Sequence, residues 1–167
     1  MIILGIDPGS RFLGYGLISD EGGGIKALDY GVLKFDSGVA LSERLLEIGQ
    51  GVNLLFTKFK PHHVSVEKIF LGKNADSAFK LGHARGVVIY EALKSNVQVY
   101  EYATRLVKKG ITGQGSADKL QVSQVIRHLL KLSQIPSVDA TDALAMAYFH
   151  ANQIRVKRLT ERMGREV

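Results

Sequence analysis

The order in which the hydrophobic period changes along this chain constrains its fold more than any other feature. Three short apolar or alternating runs come first: "MIILGID", "LGYGLIS" and "ALDYGVLKF". Each reads as a strand, with "DEGGG" as a hairpin connection between the second and third. From Ala40 to Phe59 the period switches, and Leu41, Leu45, Ile48, Val52, Leu55 and Phe59 recur at helical spacing. Gly49 and Gly51 weaken the middle of that helix, and Pro61 punctuates its end. "HVSVEKIF" then alternates as a fourth strand carrying Glu67, and "VQVYEY" is a fifth. Between them Asp76 is placed to cap a helix through "SAFKLGHARGVVIYEALKS". Further on, the glycine-rich "GITGQGS" is a turn or loop, and Ser116 caps a helix through "ADKLQVSQVIRHLLKL". After Pro136 a last helix starts near Val138 and runs through "DATDALAMAYFHANQI". Three strands in succession, then helices alternating with two more strands, predict an α/β layered domain with a mixed sheet.

The 167 residues are enough for one domain with a real core. That domain is expected over residues 1–154, followed by a flexible basic tail over 155–167. There is no cysteine, which excludes a disulfide framework, a zinc–thiolate site and an iron–sulfur cluster. Apolar runs such as "GVVIYEAL" are too short to span a bilayer, and the first 19 residues lack the pattern of a signal peptide. A cytoplasmic location is the resulting expectation. Net charge is +6, and its distribution says more than its size. Arg105, Lys108, Lys109, Lys119, Arg127 and Lys131 share residues 103–131 with a single acid, Asp118. The tail carries Arg155, Lys157, Arg158, Arg162 and Arg165 against Glu161 and Glu166. A polyanionic partner explains both clusters, as does a solvated helix face followed by a frayed end.

The acidic residues are more specific. Asp7 ends the first strand just before Pro8 and Gly9, where Asp is also a common turn former. Glu67 lies in a strand between Val66 and Ile69, a costly place for a carboxylate unless it is paired with Lys68 or an Arg, or bound to metal. Asp139 and Asp142 are three apart at a helix start, so both can project from one face. Asp139 also suits the positive end of the helix dipole, whereas Asp142 runs directly into the apolar "ALAMAYF". Four clustered carboxylates repel one another unless cations hold them. An all-oxygen set favours Mg²⁺ or Mn²⁺ over zinc. Two such ions about 3.5–4 Å apart can stabilise the attacking and leaving oxygens of a phosphodiester hydrolysis. The histidines make no rival site: His62 and His63 are adjacent and point to opposite faces if extended, and His83, His128 and His150 are isolated on helices. No GxxxxGK[ST] loop is present, and Gly14 and Gly16 lack the third glycine of a dinucleotide fingerprint.

Four blocks carry a family resemblance: "GIDPGSRFLGYGLI", "VEKIFLGKNADSAFKLGHARGV", "YEYATRLVKKGITGQGSADKLQV" and "DATDALAMAYFH". In this order, from residue 2 to about 150, the chain resembles the RuvC Holliday-junction resolvases. The resemblance implies an RNase H-like fold with a five-stranded mixed sheet flanked by helices. It implies a homodimer, Mg²⁺ dependence with Mn²⁺ as a substitute, and cleavage of four-way DNA junctions in recombination and repair. It implies an acidic active centre at Asp7, Glu67, Asp139 and Asp142. Some members carry His at the position of Asp139. It would also place Phe70 near opened base pairs and Lys108 and Lys119 on the DNA backbone, and it suggests cooperation with the branch-migration proteins RuvA and RuvB.

The expected chemistry is a hydrolytic nick that leaves a 5′ phosphate and a 3′ hydroxyl, with no covalent protein–DNA intermediate. A two-fold dimer would set one site on each of two opposed strands, and the helix from Asp76 to Ser95 is the candidate interface. Phe70 and Phe79 are candidates to stack on unpaired bases, with ordinary core packing as their alternative. Two other readings share parts of this pattern. An actin-like or sugar-kinase-like ATPase also ends its first strand in Asp, but such enzymes need two domains. A junction-binding protein without catalysis would use the basic segments alone. A general RNase H-type ribonuclease fits the matching blocks less well.

Overall fold

The computed structural model describes residues 1–68 and 75–164. Its sheet contains β1 (Ile2–Asp7), β2 (Phe12–Asp20), β3 (Ile25–Lys34), β4 (His63–Glu67) and β5 (Gln98–Tyr102) in the order β3-β2-β1-β4-β5. The first three strands pair antiparallel through short turns, while β4 joins β1, and β5 joins β4, in parallel. Parallel neighbours need a crossover. Helix α1 (Leu41–Phe59) precedes β4, and α2 (Ala75–Lys94) precedes β5. Helices α3 (Thr104–Thr112), α4 (Lys119–Leu129) and α5 (Val138–Met163) follow the last strand. This five-stranded mixed sheet with flanking helices is the RNase H-like arrangement.

The two-residue period of the strands sorts their side chains into two cores. Leu4, Ile6, Leu13, Leu17, Val64 and Val66 pack on one side with Ile48, Val52 and Phe56 of α1 and Ala84, Val88 and Ala92 of α2. Ile3 and Ile18 face the other way, into a core with Leu144, Ala147 and Phe149 of α5, Val107 and Ile111 of α3, and Ile126 of α4. The central strand β1 is covered on both sides, which is why its sequence is an unbroken apolar run.

Helix α5 lies directly on the backbone of β1 and β2, and glycines make that approach feasible. A Cβ on Gly5 would stand 1.9 Å from the carbonyl oxygen of Ala143, and one on Gly14 would stand 2.1 Å from that of Asp139. At Gly16 it would meet the Leu144 nitrogen at 2.6 Å.

Several local expectations need correction. Helix α3 shows no helical period in the sequence, because only Val107 and Ile111 of its nine residues are buried. Helix α4 is capped by Asp118, not Ser116. The Asp118 carboxylate accepts from the Gln121 N–H at 2.8 Å, and the Gln121 side chain accepts from the Asp118 N–H at 2.9 Å. Asp76 lies inside the first turn of α2 and pairs with Lys80 at 2.6 Å. Gly49 and Gly51 do not interrupt α1; they sit where Val87 and Leu33 approach the helix. Strand β4 ends at Glu67, and the Lys68 N–H donates to the Tyr102 carbonyl at 2.8 Å. Beyond Ile154 helix α5 continues unbroken to Met163, fastened to β2 by two Arg155–Asp20 hydrogen bonds of 3.1 and 2.6 Å. No helix among the described residues is long and apolar enough to cross a membrane.

Candidate active site

Strand register brings the first two carboxylates together. Gly5 of β1 is paired with Ser65 of β4, and Asp7 and Glu67 each lie two residues further on. They therefore end adjacent parallel strands on the same face of the sheet, the face covered by α5. The start of α5 contributes the other two carboxylates. Asp139 is in its first turn, with its carbonyl lying against Gly14, and Gly14 is the register partner of Asp7. Asp142 follows one turn later on the same helix face.

Asp7 feels the charge of the other three carboxylates. The Asp7 carboxyl is pushed from 3.8 up to about 7, first by burial and then by the charges of Asp142, Glu67 and Asp139, with Lys119 opposing. Burial and Asp142 also raise Glu67, against Lys119 and Lys108. Asp142 is raised by burial foremost; Lys119 and Lys108 pull the other way and Asp139 adds to the rise. The structure thus assembles Asp7, Glu67, Asp139 and Asp142 with Lys108 and Lys119 in electrostatic reach. Phe70 lies outside the described residues, and Phe79 is exposed on α2.

Neighbouring groups define the rim. Lys119 Nζ stands 3.7 Å from Asp142 Oδ2. Lys108 Nζ donates to the Ala117 carbonyl at 2.8 Å, a neutral partner that leaves its charge available. Arg85 does not neutralise the Glu67 carboxylate. Its Nε donates to the Glu67 carbonyl at 3.0 Å, and its terminal nitrogen pairs with Glu101 at 2.5 Å. The Thr104 hydroxyl does reach that carboxylate, donating to Oε1. Among the described residues no hydrogen bond ties the Asp7 carboxylate into the Pro8–Ser10 turn, so a turn-forming role does not account for it.

The donor set suits a hard divalent cation: four carboxylates from three elements, half-buried, each raising the cost of ionising another. Among the described residues, however, no three acidic or histidine side chains are drawn tightly enough together to hold an ion as they stand. The histidines, isolated in sequence, meet elsewhere. His63 Nδ1 lies 3.0 Å from His150 Nε2, and Tyr102 Oη lies 2.7 Å from His150 Nδ1. Burial and the neighbouring His63 push His150 down to about 4, so it is neutral near pH 7. Thr104 and this cluster escaped the sequence reading because only the β4–β5 register and the seat of α5 bring them together.

Comparison with known proteins agrees with this geometry. A family model described as crossover junction endodeoxyribonuclease RuvC matches residues 3–150. A crossover junction endodeoxyribonuclease RuvC of Bdellovibrio bacteriovorus is 49% identical over 162 residues, covering 97% of this chain and 96% of that one. The protein of the same name from Haemophilus ducreyi is 49% identical over 154 residues, covering 92% and 80% of the two chains. Among solved structures, Thermus thermophilus RuvC in complex with a Holliday junction substrate superposes with a TM-score of 0.88 at 33% identity, over 94% of this chain and 96% of that one. With the matched region running from the first strand through the acidic start of α5, this chain belongs to the RuvC family of crossover junction endodeoxyribonucleases.

Proposed function

We propose that this protein is a Holliday-junction resolvase that nicks two opposed strands of a four-way DNA junction symmetrically, near the crossover. The observation that carries the reading is the meeting of Asp7, Glu67, Asp139 and Asp142 at one end of the sheet, beside Lys108 and Lys119. Nucleases of this family are metal-dependent. Here the four carboxylates would hold Mg²⁺, two ions per site, with Mn²⁺ as a substitute. Bound there, such ions supply Lewis-acid activation of water and of the scissile phosphate. Asp7 and Glu67 stand on adjacent strands, and Asp139 and Asp142 on a helix seated on glycines, so the backbone beneath the four carboxylates is held by the fold. Lys108 and Lys119 would neutralise the approaching phosphates. Phe70 is assigned to the opened base pairs at the crossover. The products would carry 5′-phosphate and 3′-hydroxyl ends. A cytoplasmic location and work alongside RuvA and RuvB complete the reading.

A two-fold junction asks for two sites, hence a homodimer. The outer face between α1 and α2 suits that contact. Leu45, Val87 and Tyr90 line two adjoining grooves there, and Leu46, Phe79 and Tyr90 are exposed. Tyr90→Glu is expected to shift the protein to monomer in sedimentation analysis and to replace paired nicks with single ones. A monomer that still nicks both strands in one encounter would remove the symmetry argument.

The central experiment uses a synthetic four-way junction with one labelled strand, incubated with Mg²⁺ or EDTA beside a linear duplex of the same sequence. Paired symmetric nicks are expected on the junction alone, and only with metal. Junction binding without nicking in any divalent metal would leave a binding protein with an idle acidic cluster.

A further inference from the structure

We infer that Thr104 is a positioning residue for the metal site, its hydroxyl fixing Oε1 of Glu67 so that the carboxylate is presented in one orientation. The inference rests on the reading of Glu67 as a ligand. Thr104 is the first residue of α3, but its hydroxyl caps nothing: the N-cap is Ala103, and no side chain caps the helix. That hydroxyl is turned instead to Glu67. It is the one hydrogen-bond donor to the Glu67 carboxylate among the described residues; Arg85 directs Nε to the Glu67 carbonyl and Nη2 to Glu101.

The placement of Thr104 is itself over-determined. Two residues earlier, Tyr102 is the register partner of Glu67, and its carbonyl accepts the Lys68 N–H at 2.8 Å. The Tyr102 hydroxyl meets His150 at 2.7 Å, and His150 lies on α5, the helix that carries Asp139 and Asp142. The segment bearing Thr104 is therefore pinned to the β4 side of the site and to the α5 side at once. A neutral hydroxyl suits the task. It orients one carboxylate oxygen without cancelling the charge a cation needs, as a lysine or arginine there would. Partners one step removed from a metal typically change affinity or activity about 10–100-fold when lost.

The test uses the full-length protein with Thr104→Val, which keeps the shape and removes the hydroxyl, and Thr104→Ser, which keeps the hydroxyl. Two readouts are taken: the Mn²⁺-dependent rise in melting temperature without DNA, and the Mg²⁺ dependence of nicking at saturating junction. T104V is expected to raise the half-effective metal concentration about 10-fold in both. T104S is expected to stay near wild type, and metal-free junction binding to be unchanged in each. If T104V does not fold, T104A takes its place against T104S. A wild-type metal response in the hydroxyl-free variant, or a T104S defect equal to it, overturns the inference. Glu67→Gln is the control for the underlying reading. If E67Q keeps the wild-type metal response, Glu67 is no ligand, and that reading fails rather than the role of Thr104 alone.

Discussion

Asp7→Asn is expected to abolish junction nicking, to leave junction binding within about twofold, and to raise the melting temperature of the metal-free protein at pH 8. The first two effects follow from separated roles. A direct ligand should matter more than an outer-shell partner, whose loss already costs about 10–100-fold. Affinity for DNA comes mainly from cations on phosphates, and the substitution touches none. The third effect follows from linkage. In the folded protein the Asp7 carboxyl is raised from 3.8 to about 7, by burial first and then by its acidic neighbours. Between those values the native state holds a proton that the unfolded chain has released. The stability contributed by this group is therefore fully present below about pH 4, falls as pH rises toward 7, and is lost above it. A shift of that size corresponds to on the order of 4 kcal/mol before solvent screening. Asparagine is neutral at every pH and removes the contribution of Asp7 to the slope. Melting curves from pH 5 to 8 in EDTA should fall for wild type and stay flatter for D7N. Added Mg²⁺ should stabilise wild type and not the variant, and should do so more strongly as pH passes 7, because proton and ion compete for one carboxylate. A D7N protein that nicks normally, or is less stable than wild type in EDTA at pH 8, would sink the assignment.

That prediction draws on a residue whose importance is visible in the sequence, and others are visible for equally physical reasons. A strand buried on both faces has to be apolar throughout, so a carboxylate at the end of "MIILGID" stands out. Asp142 stands out because apolar residues follow it directly. The five strands are legible because their period differs from that of the helices around them. What stays hidden depends on pairs far apart in the chain. Helix α3 buries only Val107 and Ile111, too few to set a period. Ser116 looks like a cap until the residue three further on is weighed: there it is Lys119, whereas Asp118 has Gln121. The stretch after Ile154 is rich in Lys and Arg and reads as a frayed end. The ion pair that holds its first turn, Arg155–Asp20, spans 135 positions. Thr104 becomes informative only once β5 is registered against β4.

Gly5→Ala and Gly14→Ala are expected to damage the protein in two distinguishable ways. Both glycines support α5, and at both the atoms a new methyl would strike are helix backbone, which cannot yield by changing rotamer. At Gly5 the methyl would meet the Ala143 carbonyl oxygen at 1.9 Å and the Ala147 nitrogen at 2.8 Å, in the middle of the packed helix. The helix would have to lift from the sheet and take Leu144, Ala147 and Phe149 out of their core. Overpacking of this kind costs about 3 kcal/mol. For a domain of this size that lowers the melting temperature by about 6–12 °C. At Gly14 the clash is with the Asp139 carbonyl oxygen at 2.1 Å, at the first turn of the helix, where the backbone can shift more cheaply. G14A should lose less stability than G5A. It should lose more nicking for each degree of melting temperature, because the shift moves Asp139 and Asp142 away from Asp7, the register partner of Gly14. Gly23→Ala, with open space around its Cβ position, controls for the substitution itself and should cost nothing in either readout. Assays are read at a temperature where all three variants are folded. A G14A protein that nicks at the wild-type rate with wild-type metal dependence would mean that the seat of α5 on the sheet does not set the geometry of the acidic site. The glycines under that helix would then serve packing alone.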